Sequence, residues 1–208
     1  MRTCAQPSST DSAAPAASRA MPCSPVFEAK LVSVSVVDPR PLTGEPLPLD
    51  LLNTTWVSAD GLQDWLADER GARAWLDQHG FTDAPATPGP LRETREALRA
   101  LLLDRDAVAG VNAVLARGGE RPVLHAGGAY ERRVDAAPEW QVPWTCASGL
   151  VALLDAHGSR VRACANHDCV LWFLDTSRPG TRRWCSMAAC GNRHKAIRHG
   201  RTKSPFNS

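Results

Sequence analysis

Between residues 48 and 154 the apolar residues recur mainly three and four positions apart, the spacing that gives a helix one buried face. Pro48-Leu49-Asp50-Leu51-Leu52-Asn53-Thr54 reads as a first short helix. Asp60 is placed to cap a second, with Gln63 three residues on as its box partner. The stripe of that helix is Leu62, Trp65, Leu66, Ala72, Trp75 and Leu76, and Gly80 ends it. Thr87-Pro88-Gly89-Pro90 breaks the pattern, and a third helix follows with Leu91, Leu98, Leu101 and Leu102 on one face. Ala107 to Ala116 forms a fourth, stopped by Gly118-Gly119. The periodicity then changes. Arg121 to Ala126 and Ala129 to Asp135 read as two strands joined by a Gly127-Gly128 turn. A last helix starts near Pro138 and carries Trp140, Trp144, Leu150, Leu153 and Leu154. No internal repeat is evident.

Beyond this body, four cysteines stand at C-x4-C-x15-C-x4-C: Cys164, Cys169, Cys185 and Cys190. Two close pairs with a short connection are the ligand spacing of a structural zinc site, and four thiolates leave no open position for water. So small a unit buries too little apolar surface to fold alone, and metal binding supplies the missing free energy. The alternative is two disulfides, which the lack of an export signal disfavours. His167, between the first two cysteines, is a possible substitute ligand. Val170 to Leu174 is strand-like, and Asp175 to Gly180 is a loop with Pro-Gly punctuation. Arg182-Arg183-Trp184 leads back to Cys185, so a hairpin is expected to join the two cysteine pairs. A short helix is expected from Cys190 to His199, ended by Gly200. Within it Gly191 allows a tight turn near the metal, its N–H and that of Asn192 are candidates to face a ligand sulfur, and Asn192 is a candidate cap. The expected class is α+β: a mostly helical N-terminal domain with a small β-hairpin, then a treble-clef-like zinc finger.

Charge separates the two parts. From Cys164 onward there are eight cationic side chains against two acidic ones, a balance of +6, while the whole chain of 208 residues carries +2; residues 1–163 therefore carry −4. Four thiolates and one Zn2+ leave the finger near +4, so its end is where an anion would dock. The first 25 residues are rich in Ser, Ala and Pro with no continuous apolar stretch, and read as a disordered tail; Met21 is a possible start. No apolar run approaches the ~18 residues of a membrane span. There is no phosphate loop, H-E-x-x-H or nucleophile elbow, so no enzyme activity is expected. His125 reads as a structural residue within a strand, and Cys146 as a small buried hydrophobe.

Cys190-Gly191-Asn192-Arg193, with Trp172-Phe173, Asp175 and Arg183-Trp184-Cys185-Ser186, resembles the CGNR zinc finger over roughly residues 148–198. Asp50-Leu51-Leu52-Asn53-Thr54, followed by Trp56, resembles the start of the ABATE domain that precedes this finger in a family described as stress-induced transcription regulators. The resemblance implies a zinc-finger DNA-binding regulator with one Zn2+ per chain, a cytoplasmic location at the nucleoid, and a helical domain that senses or dimerises. The competing reading is a zinc-stabilised protein-interaction module. Expected divisions are a tail 1–25, a helical domain 26–147, a finger 148–200 and a basic tail 201–208. Candidate duplex-DNA contacts are Arg182 and Arg183 on the hairpin and Lys195, Arg198, Arg201 and Lys203 beyond it. Arg193 is either a phosphate contact or a structural arginine bonded to hairpin carbonyls. A small-molecule effector pocket would draw on Asn53, Trp56, Arg92 and Arg95; the plainer reading of Asn53 is a helix cap or turn.

Overall fold

A computed structural model describes residues 38–192. The expected tails 1–25 and 201–208 lie outside the described residues. The body is built on five helices: α1 (Leu47–Leu52), α2 (Glu69–Gln78), α3 (Pro88–Leu103), α4 (Ala109–Leu115) and α5 (Pro138–His157). Two hairpins interrupt them, β1 (Thr55–Ser58) with β2 (Gly61–Asp64), and β3 (Gly118–Leu124) with β4 (Tyr130–Ala136). α1 is a short peg whose Leu49, Leu51 and Leu52 are wholly buried between α3 and α5. α3 presents Leu91, Leu98, Leu101 and Leu102 to the same core, as their spacing requires. α5 adds Val142, Cys146, Ala147 and Leu150. Burial pushes the Cys146 thiol well above its ordinary range, so it behaves as a packed apolar group.

The chain between Thr55 and Asp68 corrects the helix expected from Asp60. It forms the antiparallel β1–β2 hairpin, with Thr55 opposite Asp64 and Ser58 opposite Gly61. Gly61 at φ +102° follows the turn, a conformation that suits glycine. Trp65 N–H then bonds the Thr54 carbonyl at 2.8 Å, and Leu62, assigned to a buried stripe, is 67% exposed. The true cap of α2 is Asp68, whose carboxylate accepts from Gly71 N–H at 2.9 Å. The Gly127-Gly128 turn is as expected, both residues at positive φ. Gly118 does not stop a helix but begins β3, where a Cβ would lie 2.7 Å from Ala136 Cβ and 3.3 Å from Trp144. His125 is exposed beside that turn, 3.6 Å from Glu131, and not structural within the sheet. The division expected at 147/148 falls inside α5, which runs unbroken to His157 because its buried face continues through Leu150.

One buried charge holds the start of the described chain. Asp50, 1% exposed, accepts at Oδ1 from Arg40 Nη1 (2.6 Å), Trp75 Nε1 (2.9 Å) and His79 Nε2 (3.0 Å), and at Oδ2 from Gly44 N–H (3.2 Å). Burial alone would raise its carboxyl pKa. The His79 bond, the Arg40 charge and bond, and the Trp75 bond outweigh burial and hold it at about 2. A folded-state value below the ordinary ~3.9 means the stabilisation is complete above that value and is lost as pH falls from about 5 toward 2. Asp50→Asn leaves buried Arg40 without this anion and is expected to cost about 3–5 kcal/mol in chemical denaturation at neutral pH. The variant should also lose part of the wild-type fall in stability across that acid range; an unchanged acid profile would refute the assignment.

Candidate metal centre

The finger starts directly after α5. Strands β5 (Val161–Ala163) and β6 (Trp172–Leu174) pair antiparallel, with Val161 opposite Leu174 and Ala163 opposite Trp172. Cys164 and Cys169 occupy the turn between them, where Cys164 N–H bonds Leu171 O and Cys169 N–H bonds Asn166 O, each at 2.9 Å. The returning chain is brought alongside by Ala165 N–H bonding Arg183 O at 2.8 Å. Ser186 then caps a π-wound helical turn, Met187–Gly191, accepting from Ala189 N–H at 2.9 Å. Cys190 sits within that turn, so the fourth ligand projects from the start of a helical segment, the treble-clef arrangement.

The four Sγ atoms all lie within 4.8 Å of one another, and Cys169 Sγ and Cys185 Sγ are 3.9 Å apart. At a Zn–S distance of about 2.3 Å the edge of a ZnS4 tetrahedron is about 3.8 Å, so the donor set fits. The four sulfurs converge on one centre and none is joined to another, which favours one shared ion over two disulfides. Cys185 N–H and Asn166 Nδ2 point at Cys164 Sγ (3.4 Å) and Cys190 Sγ (3.5 Å), the kind of outer bond that steadies a thiolate. Bonds from the Cys169 and Cys185 thiols favour the charged form of Cys164, while the Cys164 interaction pushes Cys169 and Cys185 up. Four anions this close need a dication to be charged together. The centre is a site for one zinc ion, held by Cys164, Cys169, Cys185 and Cys190. With every position filled by sulfur, the metal supplies cross-linking and no reaction. His167 is no ligand: it is 86% exposed and turned to Asp168.

Several residues stand differently from expectation. The hairpin encloses the first cysteine pair instead of joining the two pairs, because β6 pairs back onto β5. Asn192 is not the cap; it is already helical, and Ser186 serves. Gly191 and Asn192 N–H groups bond Ser186 O and Met187 O, not sulfur. A Cβ on Gly191 would lie 2.5 Å from Sδ of Met187, a flexible and half-exposed side chain that can move aside, so this contact does not demand glycine. Arg182 is not free for a phosphate. Its guanidinium donates to Trp184 O at 3.0 Å and to Cys185 O, lies 4.2 Å over the Phe173 ring, and faces Glu45 at 3.7 Å. It therefore plays the hairpin-bonding part considered for Arg193. Arg183 is exposed, its guanidinium 5.4 Å from the Trp184 ring. Arg193, Lys195, Arg198, Arg201 and Lys203 lie outside the described residues.

The proposed effector residues do not line a common pocket. Arg92 is on the surface. Arg95, 4% exposed at its side chain, is engaged by Asp64 (2.6 Å) and Thr54 Oγ1 (3.0 Å). Asn53 is fully buried and stands at the C-terminal cap of α1, in a turn, as the plainer reading has it; its side chain lines no pocket and does further work. Its Nδ2 donates to Trp172 O and its Oδ1 accepts from Trp172 N–H, both at 2.9 Å. This amide closes the edge of β6 as a neighbouring strand would. Glu45 Oε2 continues the edge, accepting from Leu174 N–H at 2.8 Å. Arg99 spans the same seam, donating to Val170 O and, from α1, Leu52 O. Trp56 completes the apolar cluster of the finger, against Leu171, Phe173 and the ligand cysteines.

Fold and centre define a helical domain fused to a four-thiolate zinc finger. The family models agree: residues 160–203 match the CGNR zinc finger, and residues 45–157 match ABATE, described as "Putative stress-induced transcription regulator". The chain belongs to the ABATE family and carries a CGNR finger. No curated protein matches it significantly. Among the described residues no helix is long and apolar enough to cross a membrane.

Elemental analysis should find one zinc per chain in the purified protein, and most of it should be gone in Cys190→Ser. A metal-free protein that melts like the zinc-loaded one would refute the centre. Asn53→Ala leaves Trp172 N–H and C=O buried and unpaired, at about 1–3 kcal/mol for each group. Denaturation should read this loss while zinc content stays at one per chain.

Proposed function

We propose that the chain is a non-catalytic regulator of transcription that acts at the nucleoid in the cytoplasm and binds duplex DNA through its finger. The helical domain would then supply dimerisation or the response to a small-molecule effector. The observation that carries the reading is charge placement: +6 from Cys164 onward, against −4 for the rest of the chain. Even with four thiolates and a dication counted, the finger stays positive and the body negative, so a polyanion is steered to one end. Described polar groups in the body have structural work of their own, as Asp50, Arg95 and Arg99 show. Membership of the ABATE family supports the regulatory role.

Lys195 and Arg198 stand three apart in the sequence, a spacing that puts two side chains on one face of a helix. A finger neutralising ~4–6 phosphates binds weakly and with steep salt dependence, which makes a dimer the natural route to specificity. Binding of the full zinc-loaded chain to a duplex should be titrated at several salt concentrations, for wild type and Lys195→Ala/Arg198→Ala. The expected result is a steep salt slope in wild type that falls by about 1 for each phosphate contact removed. No duplex binding at low salt, together with retention of a protein partner, would replace this reading with the protein-interaction module.

A further inference from the structure

We propose that the loop from Asp175 to Arg183 is a rigid phosphate-gripping arm, with Arg178 at its corner and Arg183 at its base. The inference rests on the reading of this chain as a duplex-DNA binder, and moves part of the contact surface onto a loop of the finger.

The loop is held closed from inside. Asp175 is 0% exposed. Its Oδ1 accepts from Ser177 N–H (3.0 Å) and Ser177 Oγ (2.6 Å), and its Oδ2 accepts from Arg182 N–H (2.9 Å). One carboxylate thus ties both ends of the segment. Arg160 lies beneath it, donating from Nη1 to Asp175 O (3.0 Å) and Ser177 O (2.9 Å). Gly180 N–H bonds Ser177 O at 3.1 Å to close a turn with Arg178 at its first corner. Gly180 takes φ +62°, and a Cβ there would lie 3.4 Å from the Arg160 guanidinium carbon. The positive φ is what favours glycine here, since the distance to Arg160 is an ordinary contact.

This architecture sorts the arginines. Arg160, Arg162 and Arg182 donate inward to backbone carbonyls. Arg178 and Arg183 are exposed, and among the described residues neither has a carboxylate within 4.0 Å. On the body, exposed Arg121, Arg132 and Arg133 are each paired with an acid on their own hairpin, while Arg92 and Arg105 are exposed with no ion pair among the described residues but are not held on such a loop. Of the finger's two acids, Asp175 is turned into the loop, and Asp168 is exposed beside His167, with neither Arg178 nor Arg183 within 4.0 Å of them among the described residues. Two guanidinium forks on a frame already ordered suit phosphate oxygens, because little loop entropy is lost on binding. Such contacts set affinity and register, and read no base.

The test uses full-length, zinc-loaded protein and a labelled duplex, with anisotropy titrations over a range of salt. Arg178→Ala/Arg183→Ala should weaken binding at every duplex sequence and lower the salt slope by about 2, with zinc content and melting temperature unchanged. Arg92→Ala/Arg105→Ala removes two exposed arginines of the helical body and should leave the slope as it is. If wild type binds and the loop variant keeps the same affinity and slope, the arm is refuted while DNA binding stands. An equal loss in the body variant refutes it as well, since total charge would then be the cause. If wild type shows no duplex binding at low salt, the DNA reading itself falls; loop-dependent binding to phosphatidylserine vesicles in that case would assign the arm to a membrane surface and overturn the proposal.

Discussion

One side-chain amide satisfies the open edge of the finger strand where it meets the helical domain, at a seam that also takes Val161 and Trp172 into the helical core. A two-stranded sheet has two open edges, and β6 would present the Trp172 N–H and C=O to an apolar seam with nothing to bond. Asn53 carries one donor and one acceptor at the separation of a backbone unit, and it meets both. No other side chain except glutamine offers that pair. Around it the remaining contacts become possible: Glu45 on Leu174 N–H, Arg99 between α1 and Val170, and Trp56 against the cysteine ligands. Asn53 is itself fixed by α1, whose leucines are fully buried in the helical core. The order of dependence therefore runs from the core through α1 to the finger strand and the metal.

That order explains what could be read from the sequence. The four cysteines were legible because zinc imposes local spacing, and α3 and α5 because their buried faces repeat over many turns. The Gly127-Gly128 hairpin was legible because positive φ at two consecutive residues calls for glycine. The β1–β2 hairpin was not, since Trp65 and Leu66 continue the helical spacing of Ala72, Trp75 and Leu76 across a turn and a true cap at Asp68. Two helix caps were available by residue type, Asp60 and Asp68, and only packing selects between them. The role of Asn53 was out of reach for a simpler reason. Its partner is a backbone unit 119 residues away, and backbone leaves no mark in a residue pattern.

Arginine chemistry posed the same difficulty inside the finger. Arg182, Arg183 and Arg193 are alike in sequence, and charge alone assigns all of them to an anion. Geometry separates the described two: Arg182 lies over Phe173 and bonds the carbonyls of Trp184 and Cys185, whereas Arg183 points to solvent. Guanidinium has five donors and no acceptor, so the open carbonyls of a knuckle compete with phosphate for it. A net charge summed over a small finger therefore overstates its docking surface, and the cations to count are those with no carbonyl or carboxylate of their own.

The metal and the seam also limit one another. Four thiolates fix the positions of two loops and one helical turn, but they do not orient the finger against anything else. The seam orients β6, yet β6 has only three residues and pairs with three more. Neither constraint alone specifies the unit. Zinc closes the shape of the finger, Trp56 fills the space behind the sulfurs, and Asn53 sets the direction in which the closed shape faces. Val161 and Trp172 also belong to the helical core, and Trp56 belongs to the cluster behind the sulfurs, so finger and helical domain share one packed seam and the finger does not turn on α1 as a free body.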